Sequence, residues 1–106
     1  MAKDTGKAKL TIEIDGQEKK TAELPVYGGT QGPDVVDVRS LYKQAGVFTH
    51  DPGFMSTSSC ESKITYIDGH QGVLKHRGYD IKDLVKNCTF LEVVHLLFYG
   101  GLPDKQ

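Results

Sequence analysis

The chain has no tryptophan, only two cysteines and four prolines, and it lacks the uniform charge and long apolar runs that would mark whole classes of protein. Two cysteines in 106 residues are too few for the disulfide framework that holds small secreted domains together. The opening Met-Ala-Lys-Asp-Thr-Gly-Lys lacks the apolar stretch of about 7–15 residues found in a signal peptide. Cys60 and Cys88 are therefore read as reduced thiols, and the expected compartment is the cytoplasm. No apolar run approaches the about 20 residues needed to span a bilayer. Thirteen basic and fourteen acidic side chains give a net charge of −1, mixed along the chain. No basic stripe exists to neutralise a row of phosphates, which argues against nucleic acid as a partner. No Lys/Arg-rich amphipathic helix is present to lie on an anionic membrane.

What is there is an ordinary globular composition, 38% apolar and 25% charged. The length fits one domain at most, and size scaling allows burial of roughly two-thirds of the surface that the unfolded chain exposes. Residues 1 to 8 read as a loose end. From Lys9 to Ile14 apolar and polar residues alternate, with Leu10, Ile12 and Ile14 on one face, which predicts a half-buried strand. Asp15-Gly16 suits a tight turn, and a second, weaker strand is expected from Glu18 to Leu24. Pro25 and the stretch from Gly28 to Pro33 should then interrupt regular structure.

Val35, Val36 and Val38 predict a short strand. Ser40 can cap a helical turn that runs to Ala45 and stops at Gly46. Val47, Phe48 and Thr49 favour extended backbone, and Asp51-Pro52-Gly53 has the residues of a tight turn. A second hairpin is expected between Lys63 and Arg77, with Ile64 to Ile67 and Val73 to His76 flanking a loop from Asp68 to Gly72. Asp80 can cap a helix that places Ile81, Leu84 and Val85 on one face and ends near Asn87. Thr89 and Glu92 have the spacing of a capping box. The helix that follows should run to Tyr99 and stop at Gly100-Gly101. It is apolar nearly all round, Glu92 and His95 excepted, so it demands burial on every side. Pro103-Asp104 reads as the start of a further helix. Together these two features are read as the mark of a chain cut from a longer protein.

Residues with chemical potential are scattered. His50, His70, His76 and His95 match no zinc-finger spacing and no His-Glu-x-x-His arrangement, so no metal site is expected. His70 should be solvated at a hairpin tip, and His95 should share a hydrogen bond or polar seam with Glu92. The hydroxyl-rich stretch from Ser56 to Ser59, with Ser62, lacks a Gly-x-Ser-x-Gly elbow and is assigned to capping and loop bonds. Gly28, Gly29 and Gly32 match neither the phosphate loop nor the dinucleotide fingerprint. Arg77-Gly78-Tyr79 is read as an arginine anchoring the turn between hairpin and helix.

The block from Cys60 to Gly69, continued from Gly72 to Leu84, resembles the amino-terminal signature of citrate synthases, as does the stretch from Phe90 to Pro103. The run from Phe48 to Phe54, with the Ser/Thr cluster after it, is similar to the bacterial long form of that family. The β-rich piece from Lys9 to Gly46 resembles the extra amino-terminal domain of that form. On this likeness the segment is α+β: residues 9–46 form a small N-terminal β-rich domain, and residues 47–106 form a hairpin and the first helices of a truncated, mainly helical catalytic domain.

The resemblance implies an acyltransferase that condenses acetyl-CoA with oxaloacetate and water to citrate and CoA at the entry to the tricarboxylic acid cycle. In the family an aspartate removes a proton alpha to the thioester, a neutral histidine stabilises the enol, and a second histidine polarises the oxaloacetate carbonyl. Such chemistry needs groups with tuned pKa values within hydrogen-bond reach, and arginines clamp the carboxylates. All of these lie later in the family's chains. No catalytic, cofactor-binding or metal-binding residue is therefore assigned here, no NADH contact is assigned, and the 106 residues alone are expected to be inactive. The family also implies a homo-oligomer, a dimer or hexamer. Two alternatives stay open: a fragment of a 2-methylcitrate synthase, whose relatives generally lack the β-rich extension, and a self-contained, non-enzymatic β-rich interaction module.

Overall fold

The computed structural model describes residues 3 to 104, and they divide into two compact units, residues 1–61 and residues 62–106. Met1 and Ala2, the outer part of the expected loose end, lie outside the described residues. The first unit is built on a three-stranded antiparallel sheet in the order β1-β2-β3. Strand β1 spans Lys3–Ile12, β2 spans Lys20–Gly28, and β3 is the two-residue pair Val35–Val36. The β1 ladder begins earlier than the alternation at Lys9 suggests, because Lys3 pairs with Gly28 and Lys7 with Pro25. A register shift between Asp4 and Gly6 takes up the irregular start. The reversal between the strands turns at Asp15-Gly16, where the Gln17 amide donates to the Ile14 carbonyl at 3.0 Å.

Pro25 does not end β2. Its carbonyl accepts from the Asp37 amide at 2.8 Å, on the β3 side. In an extended strand a residue's N–H and C=O point the same way, so the missing N–H removes a bond toward short β3 and leaves the β1 ladder whole.

Helix α1, Leu41–Ala45, closes over one face of this sheet, and Ala22, Leu24, Leu41 and Ala45 form a buried cluster with Ile12 and Val47 packed against it. Full burial of a leucine such as Leu24 is worth about 1.5–3 kcal/mol. Ser40 sits at the helix start but does not cap it with its hydroxyl, which instead accepts from the Gln44 side-chain amide at 2.9 Å. That same amide group reaches the sheet, since Gln44 Nε2 donates to the Glu23 carbonyl at 2.9 Å and Gln44 Oε1 accepts from the Glu23 amide at 2.8 Å. Gly46 stops the helix in the left-handed region, with its amide on the Tyr42 carbonyl. Residues 47 to 49 form no strand; the Phe48 ring stacks instead on Tyr42, centroids 4.4 Å apart.

The second unit holds another three-stranded antiparallel sheet, β4 (Thr65–Asp68), β5 (Val73–His76) and β6 (Tyr79–Asp80), with helices α2 (Ile81–Asn87) and α3 (Phe90–Tyr99). The sequence pattern misses β6. It forms because Arg77 and Gly78 both take positive φ, 51° and 88°, which is what a two-residue hairpin turn of type I′ requires. Asp80 ends β6 and also caps α2, accepting from the Lys82 amide at 2.9 Å. Leu84 is the buried residue of α2, whereas Val85, expected on the same face, is exposed. At α3 the capping box is complete: the Glu92 carboxylate accepts from the Thr89 amide at 2.6 Å, and the Thr89 hydroxyl accepts from the Glu92 amide at 3.3 Å.

The fold-class expectation of a small N-terminal β-rich domain, a β-hairpin and then the first helices of a mainly helical domain is corrected here. Strand accounts for 30% of the described residues and helix for 22%, and the expected hairpin is extended by β6 into a second three-stranded sheet. The physical reason lies in the punctuation. Gly46, Gly100 and the extended pair Cys88-Thr89 cut every helical run short, while left-handed turn residues let short extended segments pair.

Leu24→Ala is expected to cost about 2–5 kcal/mol. Hydrogen exchange should then show lost protection across β1 and β2 while the amides of β4 and β5 stay protected, since Leu24 belongs to the first unit's buried cluster.

Candidate functional site

The residues with chemical potential stay apart. His50 and His70 are exposed, His70 at the β4–β5 turn as its loop predicts. His76 is half-buried at the end of β5, and its Nδ1 is buried without a hydrogen-bond partner. His95 does not meet Glu92, whose carboxylate is committed to the Thr89 amide. Its Nδ1 lies 2.9 Å from the Gly101 carbonyl, and its ring sits 4.7 Å from that of Tyr99. Among the described residues no three His, Cys, Asp or Glu side chains gather as metal ligands. Cys60 is exposed and Cys88 half-buried, both as free thiols.

Arg77 is the best-defined charged side chain of the second unit. The turn holds its backbone left-handed, its amide donates to the Ile64 carbonyl at 2.6 Å, and its Nη2 donates to the Leu97 carbonyl at 2.9 Å. Leu97 lies in the last turn of α3, where carbonyls lack intrahelical donors, so a cation there satisfies both the hydrogen bond and the helix dipole. Arg77 Nε remains buried without a partner. The side chain ties a hairpin turn to a helix end, and this geometry presents no guanidinium fork to a ligand.

The hydroxyl cluster is organised by Asp51, a residue the sequence pattern marks only as the start of a turn. Gly53 at φ 87° permits the reversal, closed by the Phe54 amide on the Asp51 carbonyl at 3.2 Å. The Asp51 carboxylate then accepts from the Thr57 hydroxyl at 2.6 Å, the Ser56 amide at 2.9 Å and the Met55 amide at 3.0 Å. The Thr57 hydroxyl, and after it the Ser56 amide, holds the Asp51 carboxyl below the ordinary aspartate range. The Ser62 hydroxyl accepts from the amides of Ile64 and Thr65, each at 3.2 Å. These oxygens are engaged in shaping loops.

An open hollow on the first unit is lined by Pro25, Tyr27, Asp37, Arg39, Ser40 and Lys43. The Arg39 guanidinium forks onto the Asp37 carboxylate, with Nη2 to Oδ2 at 2.6 Å and Nε to both oxygens at 3.0 Å. This bond lowers the Asp37 carboxyl and raises the Arg39 guanidinium. Sequence reasoning passed over the pair; its signal is the Asp-x-Arg spacing, which puts both groups on one side of an extended segment. Gly28, singled out with the other glycines, has a packing reason: a Cβ there would come within 2.7 Å of the Asp34 carboxylate.

A sequence model of the family described as "Citrate synthase, C-terminal domain" matches residues 53–106. The match covers half of the chain, and the chain belongs to the citrate synthase family. The domain matched is the family's C-terminal one, which overturns the expectation that these residues are an N-terminal segment. Among the described residues, no helix is long and apolar enough to cross a membrane.

Two predictions rest on this geometry. Arg77→Ala should remove about 1–3 kcal/mol and speed amide exchange in the last turn of α3; unchanged exchange at Gly100 would contradict the anchoring role. Because the Asp51 pKa is lowered on folding, its contribution to loop order is present above the ordinary aspartate pKa of about 3.9 and is lost as pH falls through the lower folded value. The Met55 and Ser56 amide resonances should therefore titrate together in acid, and Asp51→Asn should abolish that titration.

Proposed function

We propose that this chain works as part of a citrate synthase, whose complete polypeptide condenses acetyl-CoA with oxaloacetate and water to citrate and CoA. The family match over residues 53–106 carries this reading. The reaction removes a proton alpha to the thioester, adds the resulting carbon nucleophile to the oxaloacetate ketone, and hydrolyses the citryl thioester to release CoA. Each step needs an acid or base held against substrate, and the scattered histidines and loop-bound carboxylates of this chain supply none. The catalytic groups belong to residues outside these 106, as do the arginines that hold the substrate carboxylates. The complete enzyme is a cytoplasmic homo-oligomer in this reading.

The exterior of α3 supports the same view. Phe90 is 82% and Phe98 79% exposed, and Leu91 and Tyr99 are exposed beside them. So much uncovered aromatic and aliphatic surface on one short helix marks a face that other polypeptide covers.

The purified 106-residue chain should release no CoA from acetyl-CoA and oxaloacetate, whereas the complete open reading frame should do so at an enzymatic rate. Turnover by the short chain would refute the assignment of catalysis elsewhere. A complete protein that prefers propionyl-CoA would point to 2-methylcitrate formation, and one with no acyl-CoA activity to an interaction module.

A further inference from the structure

We propose that the hollow on the first unit, walled by Pro25, Tyr27, Arg39, Ser40 and Lys43, binds the phosphate group of a small phosphate monoester. The inference concerns residues outside the matched stretch 53–106, and it does not depend on the enzymatic reading. It starts from the charges around the hollow. Lys43 forms no ion pair and no side-chain hydrogen bond among the described residues, and it lines the same hollow as Arg39.

Arg39 is a cation already fixed in place. Its partner Asp37 is the anchored member of the pair, the Asp37 side chain being 12% exposed against 85% for Arg39. The Asp37 amide donates to the Pro25 carbonyl at 2.8 Å, which ties the residue to β2. The Asp37 carboxylate accepts from the Arg39 amide at 3.0 Å as well as from Nε and Nη2. One carboxylate thus holds both the backbone and the guanidinium of Arg39. A guanidinium ordered in advance loses little rotamer freedom when a ligand arrives.

The fork onto Asp37 uses the Nε edge of the guanidinium. Nη1 and the outer N–H of Nη2 stay outside it and form a second pair of parallel donors. The Ser40 oxygen accepts from the Gln44 side-chain amide, which leaves its own proton to donate. Tyr27 stands beside the guanidinium and brings a phenol. The lining carries two cations and one carboxylate, a net charge of +1, and Arg39 already occupies that carboxylate. A cationic ligand meets no free carboxylate here, whereas an anion meets several donors.

Phosphate suits this set better than carboxylate. A phosphate monoester carries about −1.5 to −2 at neutral pH on three strong acceptor oxygens, enough to engage both cations and the hydroxyls together. A carboxylate has one charge and two oxygens. The remaining wall is less polar. Pro25 and Tyr27 alternate onto the face of β2 opposite buried Ala22 and Leu24. They border a space of about 430 Å³, room for a compact organic body.

The test is titration of the full 106-residue chain with phenyl phosphate, inorganic phosphate or acetate at fixed ionic strength, read by amide shifts in NMR spectra. Phenyl phosphate should shift the Tyr27, Arg39, Ser40 and Lys43 amides to saturation, with a dissociation constant of roughly 1 mM because exposed charges are screened. Inorganic phosphate should bind about threefold more weakly for want of a ring, and acetate about tenfold more weakly. Lys43→Gln, which breaks no contact, should weaken phenyl phosphate binding about fivefold. Arg39→Gln should weaken it about tenfold, with Leu24 amide protection retained as the check on folding. No saturable shift, a folded variant of either kind that binds as wild type does, or acetate that matches phosphate overturns the proposal. Phenyl phosphate held no tighter than inorganic phosphate overturns the monoester as the ligand.

Discussion

Six side chains, Ala22, Leu24, Leu41, Ala45, Leu84 and Leu96, make up the buried apolar interior of the described residues, and most of the architecture follows from how few they are. Four of them meet under α1 in the first unit. Leu84 and Leu96 lie one on each helix of the second. With so little apolar material to hide, neither unit can rely on burial to hold its shape. The shape is instead held by hydrogen bonds that join one element to the next: Gln44 clasping the Glu23 backbone, Arg77 reaching the Leu97 carbonyl, and Thr89 and Glu92 closing the start of α3.

Backbone conformation does the remaining work. Left-handed residues stand at several changes of direction: Gly46 and Gly100 end helices, Gly53 turns the Asp51 loop, and Arg77 with Gly78 makes the tight reversal before β6. A left-handed arginine is uncommon and carries a local cost. The bonds from its amide and guanidinium offset that cost, which explains how a bulky residue is held where glycine or asparagine would be the usual choice. The turn conformation and the helix anchor are two aspects of a single residue.

Local signals in the chain were the legible part. The Thr89–Glu92 capping box and the glycine stops at Gly46 and Gly100 each encode their structure within a few residues, and each forms; the alternation from Lys9 to Ile14 lies in β1 as far as Ile12. Signals that depend on what lies opposite were harder to read. Pro25 looks like a strand terminator until its N–H is seen to point away from β1. Ser40 looks like a cap until Gln44 takes its hydroxyl. Strand β6 exists only because Arg77 accepts a conformation that its residue type does not advertise. The exposure of α3 was legible: its composition announces a need for cover, and the short strands and loops before it offer little to supply it. As for the site, the roles of Asp51 and Asp37 needed coordinates, since each is defined by partners whose donor groups only folding brings round.

The tie between Arg77 and Leu97 spans 20 residues of sequence, and the hairpin it starts from is more local still. Contacts between near neighbours in the chain form quickly, because little loop entropy is lost in closing them. Synthesis proceeds at about 5–20 residues per second, far slower than a hairpin closes. The second sheet and the helix end it grips can therefore assemble on the ribosome soon after they emerge, giving any later-made polypeptide an ordered surface to fold against.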